Sequence, residues 1–346
     1  MITKLGIKNF KSIKDLELDC KRVNVFIGEP NTGKSNILEA LGLLSWWGHF
    51  NYHNTLRDYV RFESLENLFF DNKMKEPIYI NFKNATPASL GIKNHGDFFE
   101  IRSEMGNSEA VSEAVTKTCA SDGSFETSRS KSRNRETHKS ENITEQTFSS
   151  FKFYRFKDLQ NFSDSHSLFL MPPYGQNMFS LVSKSDKLKE TMQNFFSDSK
   201  FKFVIKQSEK QFGFQEEEKG VVTSYPYIIS SDTLRHIVFF AIAIESNENA
   251  SLVFEEPESH AFPFYTKWLG ERIALYSHNQ FFIATHNPYL LSALIEKTKI
   301  HDLNICVTYM DHYETKVAQL TEDQISECMM DEPFFNLNKF IPEGSA

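Results

Sequence analysis

Apolar and polar residues alternate with a period of two near the start of the chain, which is typical of half-buried strands. The alternation covers residues 5–7 and 16–18, and the β-rich run of residues 23–27 follows it and ends at Gly28. From Ser35 the spacing becomes helical, and the apolar residues on one face of the predicted helix are Ile37, Leu38, Leu41 and Leu44. The pattern therefore predicts a strand, a glycine-bounded loop and a helix, in that order.

Short aromatic or β-branched segments separated by Gly, Asn, Pro or Ser recur along residues 77–156. Residues 78–82, 98–101 and 151–156 predict strands of one antiparallel meander. Residues 105–150 are rich in Ser, Thr, Glu, Lys and Arg, and they offer few apolar groups to offset the entropy of ordering, so we expect a mobile insertion. Its basic residues could contact phosphates but are more typical of a solvated loop; they are Arg129, Lys131, Arg133 and Arg135.

The second half of the chain predicts a helix and a hairpin, followed by alternating helices and strands. The helix covers residues 186–197, and the hairpin pairs residues 201–205 with 211–215. The alternating helices and strands are residues 233–244, 251–254, 265–276 and 281–284. Strands that alternate with helices indicate parallel pairing through crossover connections.

The composition indicates a globular protein with a sizeable core. Of the 346 residues 40% are apolar, which suits one large α/β domain with an elaboration or two ordinary domains. Lys plus Arg number 38 against 46 Asp plus Glu, a formal net charge of −8. This balance argues against a general binder of nucleic acid, although it leaves a local basic groove open.

Membrane and zinc-binding signals are both weak. The longest apolar run, residues 237–244, is much shorter than the roughly 20 residues of a membrane-spanning helix. Residues 1–10 lack the apolar stretch of a signal peptide, so we expect a cytoplasmic protein with no membrane partner. The cysteines form no Cys-x-x-Cys pair and are expected to be reduced thiols; they are Cys20, Cys119, Cys306 and Cys328.

A phosphate-binding loop is the strongest motif in the chain. Residues 28–35 read Gly-Glu-Pro-Asn-Thr-Gly-Lys-Ser and match G-x-x-x-x-G-K-[ST] between a predicted strand and a predicted helix. In this pattern Lys34 reaches the β- and γ-phosphates and the Ser35 hydroxyl coordinates Mg²⁺. We favour this role over a glycine turn with an exposed lysine. The predicted nucleotide-binding residues are Gly28, Glu29, Pro30, Asn31, Thr32, Gly33, Lys34, Ser35 and Asn36.

Carboxylates follow the strand predicted for residues 251–254. Strand ends are where α/β sheets place ligand chemistry. We predict that Glu255, together with Ser35, holds Mg²⁺ and that Glu256 orients or deprotonates the attacking water. The alternative is an acidic first turn of the next helix, which its dipole favours.

A histidine follows the next predicted strand. Residues 281–284 end in Thr285-His286-Asn287-Pro288. His286 can donate a hydrogen bond to a γ-phosphate, and we favour that catalytic role over a structural one. His260 is a weaker candidate.

Taken together, these motifs resemble those of the ABC-type ATPase heads of the RecF, SMC and OLD group, particularly AAA-type ATPases with a Glu-Glu-Pro-Glu Walker B end. Residues 5–12 also resemble the first strand of that group. The resemblance implies an α/β P-loop NTPase head with a mixed or parallel core sheet, an antiparallel β subdomain and a helical lobe. It implies one head spanning residues 1–346, with a nucleotide-binding core of 1–85 and 220–330 and an inserted lobe of 86–219.

The resemblance also implies a head that binds ATP and Mg²⁺ and forms a homodimer or higher oligomer with ATP sandwiched between protomers. In such heads a signature motif at a helix N-terminus completes the partner's site, and Ser230 and Ser231 occupy that place here. Asp232 departs from the glycine of the motif and is expected to cap its own helix. The glutamine that couples to Mg²⁺ stays open between Gln160 and Gln176.

The expected function is ATP hydrolysis that controls a separate effector. The OLD-like resemblance implies a nuclease or toxin in anti-phage defence, as in two-component systems such as PARIS. The chain ends at residue 346, too soon after His286 for a nuclease domain, so we expect the effector to be a separate protein. The alternatives are a RecF-like repair ATPase that clamps DNA, which the net charge supports poorly, and a transporter subunit, which would carry a glycine-rich signature. Missing heptads exclude an SMC-like arm.

Substitution of Lys34 tests the phosphate loop directly. Lys34→Ala removes the principal phosphate cation, so we expect nucleotide binding to be lost. Isothermal titration calorimetry with ATP measures this, and an unchanged affinity would reject the assignment.

Overall fold

The computed structural model of the protein describes residues 1–49, 55–106, 113–119, 125–126, 146–159, 161–196, 201–330, 334 and 336–342. It has an α/β fold, as the sequence predicts. A mostly parallel sheet forms its centre, with the strands β3 (Val23–Gly28), β9 (Phe151–Tyr154), β13 (Ser251–Glu255), β14 (Gln280–Ala284), β15 (Leu303–Asp311) and β16 (Glu314–Gln319). Their order is β16-β15-β3-β14-β13-β9, with β16 antiparallel to β15 and the other neighbours parallel.

Two antiparallel sheets complete the β structure. The larger has the order β2-β1-β4-β5-β6-β7-β8, with the strands β1 (Lys4–Phe10), β2 (Ile13–Asp19), β4 (Ile78–Lys83), β5 (Pro87–Asn94), β6 (Phe99–Met105), β7 (Glu113–Cys119) and β8 (Phe125–Glu126). The smaller has the order β10-β11-β12, with the strands β10 (Lys202–Lys206), β11 (Gln211–Glu218) and β12 (Val221–Pro226).

Helices cover the faces of the central sheet. They are α1 (Lys34–Gly48), α2 (Met178–Lys184), α3 (Asp186–Phe195), α4 (Asp232–Glu245), α5 (Pro263–Leu275), α6 (Pro288–Lys297) and α7 (Glu322–Met330). Short 3-10 turns lie at Leu56–Asp58, Leu65–Leu68, Phe70–Asn72, Tyr227–Ile229, Ile300–Asp302 and Leu337–Phe340. No helix in the described part of the chain combines the length and apolar character needed to span a membrane.

The predicted meander is wrong at its last strand. Residues 151–154 form β9, which pairs parallel with β13 at the edge of the central sheet, not with the antiparallel strands. The physical reason is burial, because all four residues of β9 are covered on both faces, as in parallel sheets. A short aromatic run has the same local appearance in either kind of sheet.

Part of the predicted insertion at residues 105–150 forms strands. β7 and β8 extend the larger antiparallel sheet where a mobile loop was expected. The backbone groups of β7 form hydrogen bonds with β6, and this pairing orders the strand despite its polar composition. Arg129, Lys131, Arg133 and Arg135 lie outside the described residues.

The alternation of side chains along the central strands divides the interior into two cores. Val23, Val25 and Ile27 of β3 face the core that also contains α4, α5 and α6, whereas Phe26 faces the core shared by α1 and the larger antiparallel sheet. Because side chains on a strand alternate between faces, both faces of this sheet are covered. The helix α1 is therefore enclosed between two sheets.

Topology brings the predicted functional segments to one edge. The strands β3, β14 and β13 are parallel neighbours, so their carboxyl ends lie side by side. The phosphate loop follows β3, Thr285 and His286 follow β14, and Glu255 ends β13 just before Glu256. This edge is where ligands bind in open α/β sheets.

Candidate active site

Glycine is required at both ends of the loop between β3 and α1. A Cβ atom built on Gly28 would lie 2.3 Å from Thr308 Oγ1, and one built on Gly33 would lie 2.0 Å from Thr315 Oγ1. Gly33 has φ 94°, in the left-handed region that favours glycine. Loops with such residues form concave nests of backbone amides that fit phosphate. The loop therefore has the shape that its sequence predicts.

The remaining loop residues form its tip and its attachments. Glu29, Pro30 and Asn31 are exposed at the tip. The Thr32 hydroxyl donates to the Glu29 carbonyl at 2.8 Å, which closes the loop on itself. The Asn36 side chain donates to Ser12 Oγ at 2.6 Å and connects α1 to the β1–β2 turn.

Lys34 lies over the centre of the loop. Its side chain is 5% exposed, and Nζ donates to the carbonyls of Gly28 at 2.9 Å and Glu29 at 2.7 Å. Burial lowers the pKa of Lys34 to about 8, against the opposing charges of Glu256 and Glu29. A bound polyphosphate would stabilise this poorly solvated cation.

Ser35 and Glu255 lie next to each other, at the start of α1 and the end of β13. The Ser35 hydroxyl is close enough to the Glu255 carboxylate to lower its pKa. The same carboxylate accepts hydrogen bonds from Arg61 Nη2 at 3.0 Å and Arg155 Nη2 at 2.8 Å. Burial by itself raises the pKa of Glu255, but the Ser35 bond and the two guanidinium charges outweigh it, so the pKa is lowered. An ionised carboxylate beside a hydroxyl is a hard-oxygen donor set that fits Mg²⁺.

Arg61 and Arg155 are site residues that the sequence patterns did not reveal. Arg155 directly follows β9, so its role depends on the pairing of β9 with β13. Arg61 also donates to Glu39 Oε1 at 2.5 Å. Glu39 lies on α1 and is fully buried, and its second partner is Lys11 in the β1–β2 turn. Sequence spacing carries no signal for either arginine.

Glu256 and His286 face each other beside Lys34. His286 Nε2 lies 3.8 Å from Glu256 Oε1, and both side chains are partly exposed. Burial lowers the pKa of His286, the charge of Lys34 adds to this, and Glu256 opposes it, so the imidazole is neutral near pH 7. A half-exposed carboxylate and a neutral imidazole are thus arranged on one side of the phosphate loop.

The signature residues lie at the start of α4, and the expectation that Asp232 caps this helix is wrong. Ser231, not Asp232, is the N-cap of α4, and its hydroxyl accepts the Leu234 amide at 3.2 Å. Asp232 is the first helical residue and pairs with Arg235, because a carboxylate there also reaches one turn along the helix. The Ser230 hydroxyl donates to the Tyr227 carbonyl at 2.8 Å. Within the described residues, the Ser230 and Ser231 side chains form no hydrogen bond with the phosphate loop of the same chain.

The other candidates are placed as follows. Gln160 lies outside the described residues. Gln176 precedes α2, where its carbonyl accepts the Ser163 amide at 2.7 Å. The exposed His260 contributes its carbonyl, which accepts the Thr233 hydroxyl at 2.6 Å.

Comparisons with known proteins give a family match and a likeness of fold. A family model described as AAA ATPase domain matches residues 1–219, more than half of the chain. The chain is 32% identical over 108 residues to the uncharacterized protein MJECL10 of Methanocaldococcus jannaschii, which covers 29% of this chain and 49% of that protein. It thus spans about half the length of this curated relative.

Two solved SMC head domains share the fold. One is an SMC head bound to the C-terminal winged-helix domain of ScpA, with a TM-score of 0.51 and 14% identity, covering 94% of this chain and 99% of that chain. The other, from Pyrococcus furiosus, is an SMC head with an extended coiled coil bound to the C-terminal domain of ScpA; its TM-score is 0.51 at 13% identity, and the coverage is 95% and 98%. At these identities the likeness concerns the fold.

The lowered pKa of Lys34 predicts a pH-dependent affinity. Below about pH 8 the ammonium is already charged, whereas above it the binding of MgATP must take up a proton. We expect the Kd for MgATP to be constant up to about pH 8 and then to rise by at most about tenfold per pH unit. Calorimetry in two buffers of different ionisation enthalpy detects the proton. The residual affinity of Lys34→Arg should not change with pH over this range. A wild-type Kd that is also independent of pH would contradict the prediction.

Proposed function

The chain belongs to the family of AAA ATPase domains, and from that premise we propose that it is a magnesium-dependent head that closes on a second copy around ATP and controls a separate effector protein. One observation carries the proposal. Lys34, the Ser35–Glu255 pair and the Glu256–His286 pair converge from three adjacent strand ends on one small space. Together they supply a phosphate cation, a magnesium site, a base and a hydrogen-bond donor.

Each residue has a distinct task in hydrolysis. Lys34 binds the β- and γ-phosphates, and the Ser35 hydroxyl and the Glu255 carboxylate hold Mg²⁺, which supplies neutralisation of the phosphate charge when bound. The Glu256 carboxylate orients the attacking water and accepts its proton. The neutral His286 donates a hydrogen bond to an oxygen of the γ-phosphate, where negative charge develops.

Exposed apolar side chains around this edge support dimerisation. They lie at the start of α4, α5 and α6, on the same side of the sheet as the phosphate loop, and they are Ile228, Ile229, Phe262, Phe264 and Tyr289. Exposed apolar groups clustered beside a polar site are typical of protein interfaces. A second copy would cover them, and its Ser230 and Ser231 would meet the γ-phosphate at the start of α4.

The effector part of the proposal rests on the resemblance of the Glu-Glu-Pro-Glu and Thr-His-Asn-Pro segments to OLD-group heads. We propose a nuclease or toxin in anti-phage defence as the effector. In both SMC structures the head carries a bound ScpA domain, so this fold is able to hold a protein partner. The second candidate, a DNA clamp like RecF, is less favoured because the net charge is −8.

Glu256→Gln tests the assignment of the base. The amide cannot accept a proton, so we expect kcat to fall by a factor of about 10² to 10⁴ with little change in ATP affinity. Single-turnover hydrolysis and titration with a fluorescent ATP analogue separate the two quantities. Glu296→Gln, which makes the same change on the exposed face of α6, is the control. Wild-type turnover by Glu256→Gln would assign the base to another residue.

The same variant tests the dimer. With ATP, Glu256→Gln should sediment as a dimer in analytical ultracentrifugation, because the bound nucleotide persists. Phe262 is the N-cap residue of α5 and makes no side-chain cap hydrogen bond. Adding Phe262→Ser removes an exposed apolar group and places a residue that suits this position, so it should weaken the dimer without harming the helix. Leu275→Ser is the matched control, since Leu275 lies at the other end of α5 and is 69% exposed against 66% for Phe262. Equal sedimentation of the two double variants would place the interface elsewhere.

Capture of the ATP-bound Glu256→Gln protein from its native cells tests the effector. We expect mass spectrometry to identify a separately encoded nuclease or toxin that is absent from a parallel Lys34→Ala capture. Nucleic acid together with repair proteins, and no such effector, would favour the DNA-clamp function instead.

A further inference from the structure

A buried carboxyl group beside the site has no role in the steps above. Glu258 lies in the turn between β13 and α5, and it is 6% exposed. Its Oε1 accepts a hydrogen bond from the Thr285 hydroxyl. Burial is the main cause that raises the pKa of Glu258 to about 7, while the Thr285 bond opposes it. An acidic side chain is rarely buried unless it is hydrogen-bonded or paired with a positive charge.

Thr285 connects three parts of the site. Its amide donates to the Phe26 carbonyl at 3.1 Å, on the strand that leads into the phosphate loop. Its hydroxyl oxygen accepts the Asn287 amide at 3.0 Å, and the Asn287 side chain in turn caps α6. The Glu258–Thr285 hydrogen bond therefore links the turn after β13 to β3, to the His286 loop and to the start of α6.

The backbone of Glu256 needs such a support. Glu256 has φ 45°, a left-handed conformation that is unfavourable for a residue other than glycine. Its amide donates to the Ala284 carbonyl at 3.0 Å, which fastens the turn on one side. The Glu258 carboxyl fastens it to the next residue, Thr285, on the other side. Both links run from the turn that carries Glu256 to the loop that carries His286.

We propose that Glu258 is a positioning residue that holds Glu256 and His286 on the same γ-phosphate through its hydrogen bond with Thr285. The inference rests on the proposed function, because it assigns Glu258 a task in the hydrolysis carried out by Glu256 and His286. Glu258 itself touches neither the phosphates nor the water. Its contribution is geometric, since displacement of a catalytic group by about 1 Å can slow a reaction by about 100-fold.

Removal of either partner should affect turnover but not binding. In Glu258→Ala and in Thr285→Val we expect kcat to fall by about tenfold to 100-fold, the range found when a supporting hydrogen bond to a catalytic group is lost. The affinity for ATP should stay within about twofold, because Lys34 and the phosphate loop keep their contacts. Glu258→Gln should restore turnover, since its amide oxygen still accepts the Thr285 hydroxyl.

The matched control is Thr298→Val. Thr298 is buried at the opposite end of α6 from Asn287, so the substitution makes the same chemical change away from the site. Its kcat should equal that of the wild type. The Thr298 hydroxyl has no hydrogen-bond partner among the described residues, so this variant controls for the change from Thr to Val itself. Melting curves of all the variants separate a general loss of stability from a loss of positioning.

A second readout is independent of activity. In the nucleotide-free protein, hydrogen–deuterium exchange of peptides covering residues 254–262 and 284–290 should be faster in Glu258→Ala and Thr285→Val than in the wild type. The exchange should be unchanged in Glu258→Gln and Thr298→Val. Where Glu258→Ala fails to fold, Thr285→Val decides, because it removes the hydroxyl and leaves the carboxyl in place.

Two results would overturn the inference. Wild-type kcat and exchange in both Glu258→Ala and Thr285→Val would show that the hydrogen bond is dispensable. A Glu258→Gln variant as slow as Glu258→Ala would show that charge, not hydrogen bonding, matters. A wild-type protein that does not hydrolyse ATP would instead reject the proposed function, so the two failures are distinguishable.

Discussion

The parallel pairing of β3, β14 and β13 is the constraint on which the arrangement of the site depends. Each strand contributes one functional segment at its carboxyl end, and parallel pairing brings these ends to the same edge. Backbone hydrogen bonds continue past the strands, with the Thr285 amide on Phe26 and the Glu256 amide on Ala284. The relative positions of Lys34, Glu256 and His286 thus follow from the sheet rather than from contacts among their side chains.

Charge compensation is the second organising feature. Glu39 and Glu255 are carboxylates with little exposure, and Arg61 binds both of them, while Lys11 and Arg155 supply the remaining positive charge. Buried charges are tolerated only when they are paired and hydrogen-bonded. The Glu255 carboxylate is therefore stabilised at the edge of the sheet by two guanidinium groups and by Ser35.

The side chains of the site indicate the chemistry of the protein more clearly than they indicate its biological role. The proposed tasks of phosphate binding, magnesium binding and water activation each have candidate side chains at one edge of the sheet. The partner and the signal depend on surfaces that this chemistry does not specify, since the same ATPase fold serves many functions. The exposed apolar residues at the start of α4, α5 and α6 connect the two levels, because closure around a nucleotide would bury them.

The sequence by itself determined the elements whose chemistry is local. Residues 28–35 match the phosphate-loop pattern within one short segment, and the ends of β13 and β14 carry their polar residues directly after apolar runs. The contacts that exclude a side chain at Gly28 and Gly33 come instead from the distant Thr308 and Thr315. Only the tertiary structure decided the place of β9 and the contacts of Arg61, Arg155 and Glu258. Arg155 reaches Glu255 across 100 positions, and Thr285 reaches Glu258 across 27. Periodicity and motifs report on neighbours along the chain, whereas these contacts depend on strand order and on burial, which arise only when distant segments pack together.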